Sequence, residues 1–165
     1  MPNHAGAPGA MVAPLYPGPL VLVVDDDQPD RIAVTRMVRG LGYQARSCRR
    51  GPDALRFIQQ HPRVVRVLVA DLGMAGMDGG ELLERALDAD PTLRAILMAD
   101  LNDPGTAELL HGYRDLPILL KPIRFPDLYG ALVALVGPPR HGAAPASVHA
   151  PSQRTRRRTS GHHEP

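Results

Sequence analysis

Three consecutive aspartates, Asp25, Asp26 and Asp27, follow the unbroken apolar run Leu20-Val21-Leu22-Val23-Val24, and Asp71 follows a second such run, Val67-Leu68-Val69-Ala70. A buried strand that ends on a carboxylate delivers charge to the edge of a sheet, and two such strands deliver several charges to one crevice. Like charges held together raise one another's pKa unless a cation neutralises them, and an oxygen-only donor set favours a hard ion such as Mg²⁺. A further run, Ile118-Leu119-Leu120, ends on Lys121-Pro122, and Lys121 is the single lysine among 19 basic residues. An ammonium at that place pairs with a carboxylate or with an incoming phosphoryl group. Acid, metal and lysine together point to phosphoryl transfer. Each piece alone has a plainer reading: Asp26, Asp27 or Gln28 as the cap of a helix beginning at Pro29, Asp78 as the cap of a later one, Asp71 as a turn residue, and Lys121-Pro122 as a strand exit.

The elements that position these residues follow from hydrophobic periodicity. The apolar runs at Leu20–Val24, Val67–Ala70, Ala95–Met98 and Ile118–Leu120 read as central strands buried on both faces. Tyr43-Gln44-Ala45-Arg46-Ser47 alternates, as a half-exposed edge strand does. Helical spacing joins Val34, Met37, Val38 and Leu41, then Ala54, Phe57 and Ile58, then Leu83, Ala86 and Leu87, then Leu128, Ala131, Leu132 and Leu135. The segment from Asp103 to Tyr113, interrupted by Gly105 and Gly112, carries the weakest helical signal. Alternating strands and helices predict an α/β fold, a flavodoxin-like doubly wound parallel sheet of five strands in the order 2-1-3-4-5 with helices on both faces. In that order the ends of strands one and three form the crevice where ligands bind.

The segments VLVVDDD, VLVADLGMAGMDG and ILLKP, in this order and spacing, resemble the site motifs of bacterial two-component response-regulator receiver domains, in style those of hybrid histidine kinases. The likeness spans residues 20–136. It implies that Asp71 accepts a phosphoryl group from a histidine kinase or phosphotransfer protein in a phosphorelay. It also implies that Asp25, Asp26, Asp71 and the Gly73 carbonyl hold Mg²⁺, and that Lys121 contacts the phosphoryl group. Such a domain assists its own modification by positioning and electrostatics and is a signalling module, not a turnover enzyme. A related Asp-nucleophile phosphohydrolase needs a second acid two residues after the nucleophile, where this chain has Gly73.

The pattern departs from the family at its switch. Ala99 stands where the family carries a Ser or Thr hydroxyl, a loss worth about 1.5–3 kcal/mol for a hydrogen bond to a charged group. Asp100 replaces a small neutral residue, so its carboxylate either repels an arriving phosphoryl group or joins the acidic cluster. Ile118 stands in place of a switching aromatic, and Ala75 replaces a proline. These residues motivate a competing expectation, a receiver-like interaction module that works without phosphorylation.

Composition bounds the rest. The 165 residues, 44% of them hydrophobic, allow one domain with irregular ends: a Pro/Gly/Ala-rich segment over 1–19 and a basic tail over 137–165. Within 20–136 there are 14 basic and 16 acidic residues, so the excess positive charge lies in the tail, with Arg154, Arg156, Arg157 and Arg158. A solvated basic tail without interleaved aromatics does not read sequence in nucleic acid; His162-His163 could bind a metal, and two adjacent histidines in an irregular tail are more often inert. Met11 is a second candidate start. Cys48, the only cysteine, excludes a disulfide framework and a Cys-based zinc site. No membrane span and no secretory signal are present, so a cytoplasmic protein is expected. With no output domain after Val136, signalling is expected through protein contacts on the face of helix four, strand five and helix five, a homodimer being one form of such contact.

Overall fold

The computed structural model describes residues 18–103 and 105–139. The expectations for segment 1–19 and tail 137–165, including the arginine cluster, His162-His163 and the alternative start, fall outside them except at residues 18, 19 and 137–139. Ten elements alternate along the chain: β1 (Leu20–Val24), α1 (Gln28–Gly40), β2 (Gln44–Cys48), α2 (Gly51–Gln60), β3 (Val65–Asp71), α3 (Gly79–Ala89), β4 (Arg94–Ala99), α4 (Thr106–His111), β5 (Ile118–Leu120) and α5 (Phe125–Val136). All strands are parallel, in the order β2-β1-β3-β4-β5. This is the expected doubly wound sheet. No helix among the described residues is long and apolar enough to cross a membrane.

Why these runs form strands is visible in where their side chains go. Successive residues of a strand point to opposite faces, and β1 is apolar at every position because both faces are covered. Leu20, Leu22 and Val24 join Leu68, Leu97, Phe57, Ile58, Leu82 and Leu83 in one core layer. Val21 and Val23 join Val69, Ile96, Val34, Val38, Leu128 and Leu132 in the other. Each fully buried aliphatic side chain contributes roughly 1.5–3 kcal/mol of transfer free energy, so the two layers hold the strand ends in fixed register.

Three expectations need correction. Ile118–Leu120 is not a central strand: β5 pairs only with β4 and lies at the sheet edge, with Leu120 49% exposed. A run of three apolar residues is too short to distinguish two covered faces from one. On α3 the residue facing the core beside Leu83 and Ala86 is Leu82, while Leu87 is exposed; both leucines fit a helical period, and only the angle at which α3 meets the sheet chooses between them. β2 begins one residue later than its alternation predicts, because Tyr43 leaves the ladder, buries its ring and donates its hydroxyl to the Gly137 carbonyl at 2.7 Å. The weak helical segment is a helix of six residues, α4.

The helices that point at the crevice are capped by aspartates. Asp27 accepts from the Asp30 amide at 3.0 Å and Asp78 from the Glu81 amide at 2.8 Å. Gly79 follows Asp78 because a Cβ there would collide with the Asp71 carbonyl, so α3 starts directly against the strand that carries Asp71. Loss of an aspartate N-cap costs about 1 kcal/mol. Asp78→Ala should lower the unfolding free energy measured in urea by that amount, with an unchanged m-value and a lower midpoint; no change would show that the Gly79 contact alone anchors the helix.

Candidate functional site

The carboxyl ends of β1, β3 and β5 meet in one crevice. Asp25 follows β1 and is fully buried; its Oδ1 accepts from the Asp27 amide at 2.8 Å, and its backbone carbonyl accepts from Arg31 Nη1 at 2.7 Å. Asp71 is the last residue of β3, 5% exposed. Its neighbour Leu72 still donates to the Met98 carbonyl at 2.9 Å, so the sheet ladder extends past the carboxylate and holds its backbone rigid. Asp26 is half-buried, and its Oδ2 accepts from the Ala75 amide at 3.0 Å. That bond exists because residue 75 is alanine; proline has no N–H to give.

One carboxylate oxygen from each of Asp25, Asp26 and Asp71 lies within 4.8 Å of the others, the only such metal-ligating group among the described residues. Three hard anionic oxygens on rigid strand ends suit a hard divalent cation and suit no soft one. Lys121 enters from the end of β5, where its amide donates to the Ala99 carbonyl at 2.8 Å. Its Nζ stands 3.0 Å from Asp25 Oδ2 and 3.1 Å from Asp71 Oδ1.

The electrostatics follow from this crowding. Burial pushes the Asp71 carboxyl up to about 6, against the pull of Lys121 and with the help of Asp25 and Asp26. Burial likewise raises Asp25, again opposed by Lys121. For Lys121 burial works against the charge, yet the surrounding carboxylates win and hold its pKa above the ordinary lysine value. One cation among several acids is thus fixed in its charged form, while the acids around it are under-neutralised. The crevice is built to receive additional positive charge.

Gly73 lies beside the cluster, where a Cβ would stand 2.9 Å from an Asp103 carboxylate oxygen and 3.5 Å from Asp71 Oδ2. Any side chain there would crowd the crevice. Ala99 closes β4 and is fully buried, so its methyl lies at the strand end where a hydroxyl would otherwise stand. Of the two roles expected of Asp100, membership of the acidic cluster is not met, since the metal-ligating group holds only Asp25, Asp26 and Asp71; its Oδ1 accepts from the amide and the Nδ2 of Asn102, both at 2.8 Å. A short polar side chain two residues before an available N–H closes on its own backbone. Ile118 packs, half-buried, against the core layer that contains Leu97.

Two carboxylates escaped the sequence analysis. Asp30, in the first turn of α1, reaches Lys121, and Asp103, in the loop before α4, reaches Gly73. No spacing rule marks Asp30, because Asp26 lies before the Asp27 cap and outside α1, so a helical interval does not relate the two. Nothing in the sequence distinguishes Asp103 from any loop aspartate. An aromatic also approaches from an unexpected place: Tyr113, after α4, has its hydroxyl over Gly80, where a Cβ would collide with it.

Comparison with known proteins gives this arrangement a family. The two-component response regulator ORR21 of Oryza sativa subsp. indica is 33% identical over 113 residues, which are 67% of this chain and 16% of that protein. The transcriptional regulatory protein ZraR of Klebsiella oxytoca is 30% identical over 108 residues, 66% of this chain and 24% of that protein. The chain therefore aligns with a quarter or less of the length of either relative. Among solved structures, a two component transcriptional regulator AraC from Clostridium phytofermentans superposes with a TM-score of 0.60 at 27% identity, covering 72% of this chain and 92% of that one. The chemotaxis protein CheY4 of Vibrio cholerae, at 21% identity and a TM-score of 0.62, covers 72% and 99% and shares the fold. Residues 21–133 match the response regulator receiver domain, and with the aspartates and the lysine gathered at the ends of β1, β3 and β5, the chain belongs to that family.

Proposed function

We propose that this receiver domain accepts a phosphoryl group on Asp71 from a histidine kinase or phosphotransfer protein, with Mg²⁺ held by Asp25, Asp26, Asp71 and the Gly73 carbonyl. The observation that carries the reading is the joint placement of a buried Asp71, two further aspartates within 4.8 Å, and the Lys121 ammonium 3.1 Å from the acceptor carboxylate. In the transfer an Asp71 oxygen attacks phosphorus, the bond from phosphorus to the donor imidazole nitrogen breaks, and the electron pair returns to that nitrogen. The ion supplies neutralisation of the phosphoryl oxygens. The chain's own part is positioning: β3 fixes the nucleophile, Lys121 offers a charge-assisted hydrogen bond, and the Gly73 position leaves room for the incoming group. The domain acts as a cytoplasmic signalling module without separate turnover.

Its output passes through the edge formed by α4, β5 and α5. Leu101, Leu109, Leu120, Phe125 and Tyr129 are exposed on or near these elements; scattered singly such groups are ordinary surface, so the assignment of this edge rests on the family resemblance. With Ala99 and Ile118 in place of a hydroxyl and a switching aromatic, the charge on Asp71 has fewer levers on that edge.

The reading predicts that acetyl phosphate or phosphoramidate with Mg²⁺ adds one phosphoryl mass to the wild type and none to Asp71→Asn. Amide exchange over residues 101–120 then reports whether the charge is read out. Absence of addition to the wild type, together with absence of Mg²⁺ binding, would replace this reading by the phosphorylation-independent interaction module.

A further inference from the structure

An alkylammonium has three N–H donors, and the Lys121 ammonium has three carboxylate neighbours: it donates to Asp25 Oδ2 at 3.0 Å and forms ion pairs with Asp30 Oδ2 and Asp71 Oδ1, each at 3.1 Å. Asp25 and Asp71 belong to the strand-end cluster. Asp30 does not; it reaches in from α1, its amide held by the Asp27 cap at 3.0 Å. We propose that Asp30 is a positioning residue for Lys121, completing a three-carboxylate socket around the ammonium and competing for it with a tetrahedral anion at Asp71. The competition rests on the phosphoacceptor reading of Asp71, whereas the socket does not.

The argument turns on which partner yields. A phosphoryl oxygen that takes a hydrogen bond from Lys121 must displace one of the three. Asp25 is fully buried, so no water replaces the ammonium there without a desolvation penalty. Asp71 carries the arriving group, and its carboxylate loses its own charge on becoming an acyl phosphate. Asp30 has a side chain 49% exposed against 13% for Lys121, so water takes over its oxygen readily, and it is the partner that lets go. Until then it subtracts from the positive potential that the anion meets.

Lys121 is the only lysine in the chain, so protein labelled with ¹⁵N-lysine gives one ammonium resonance, and that signal reports this socket alone. In the ligand-free intact chain, Asp30→Asn should shift the resonance and speed its proton exchange with water, and Asp30→Glu should restore both. In a calorimetric titration with beryllofluoride and Mg²⁺, Asp30→Asn should bind about three- to fivefold more tightly than wild type, the range expected for loss of one partly exposed ion pair. A carboxylate in the first turn also stabilises a helix through its dipole, so a fall in thermal stability alone does not discriminate. An unmoved ammonium signal in Asp30→Asn would overturn the socket. A moved signal with unchanged beryllofluoride affinity would overturn the competition and leave the phosphoacceptor reading standing, since wild type still binds. Failure of the wild type to bind beryllofluoride would overturn that reading and the competition with it, while a moved signal would still support the socket.

Discussion

Lys121→Met is expected to cost the metal-free protein about 3 kcal/mol at neutral pH, because it leaves buried carboxylates without their cation. Asp25 is fully buried and Asp71 nearly so, and Lys121 holds both at 3.0–3.1 Å. Methionine matches the aliphatic stem closely enough that packing is kept and the loss is chiefly electrostatic. The variant has two ways to recover. Lowering the pH protonates the orphaned acids, so the deficit against wild type should shrink steadily below pH 6. Adding Mg²⁺ replaces one cation by another, so the deficit should also shrink with the ion present. Urea unfolding at several pH values, with and without Mg²⁺, checks all three statements. A neutral-pH loss below about 1 kcal/mol would mean that Asp25 and Asp71 reach enough water to do without the lysine.

Metal-free wild type should lose stability as pH rises from about 4 to about 6, and Asp71→Asn should lose much less. The Asp71 carboxyl titrates near 6 in the folded chain against 3.8 ordinarily, burial being the main cause. Between those values the native state binds the proton and the unfolded state does not, so each increment of pH favours unfolding. The full difference is worth roughly 3 kcal/mol, and Asp25, raised in the same direction, adds to the slope. Asp90 runs the opposite way: hydrogen bonds from Thr92, then from the Arg63 amide, lower its pKa, so its contribution is lost as pH falls below the ordinary value. At the proposed metal site Mg²⁺ would select the ionised cluster, so it should flatten the slope above pH 5, adding about 2.7 kcal/mol at a hundredfold excess over its dissociation constant. Thermal or urea midpoints in chelator and in Mg²⁺, compared between wild type and Asp71→Asn, provide the test. Equal slopes in the two proteins would show that Asp71 is ionised throughout.

Much of this molecule was legible before any coordinates. Four apolar runs separated by helical periods point to a parallel sheet, and the three longer ones to strands covered on both faces. An edge place for the alternating strand after the first helix then yields the order of the sheet. Because Asp25, Asp71 and Lys121 follow three of those runs directly, the order also brings them to one crevice. What the sequence left open were angles and competition between neighbours. Leu82 and Leu87 both fit a helical face, and the packing of α3 on the sheet decided for Leu82. Ile118–Leu120 looked buried on both faces because a three-residue apolar run carries no record of its neighbours, although its last place in the order 2-1-3-4-5 already put it at an edge, where Leu120 is exposed. Of the two roles open to Asp100 by its position in the chain, joining the acidic cluster fell away, since the nearer Asn102 claimed its Oδ1. Asp30, distant from Lys121 in sequence and unmarked by any strand end, became the third partner of the ammonium only when α1 docked across the mouth of β1. Periodicity is a local property and is written in the chain, whereas which acid meets which cation depends on where separate elements come to rest against one another.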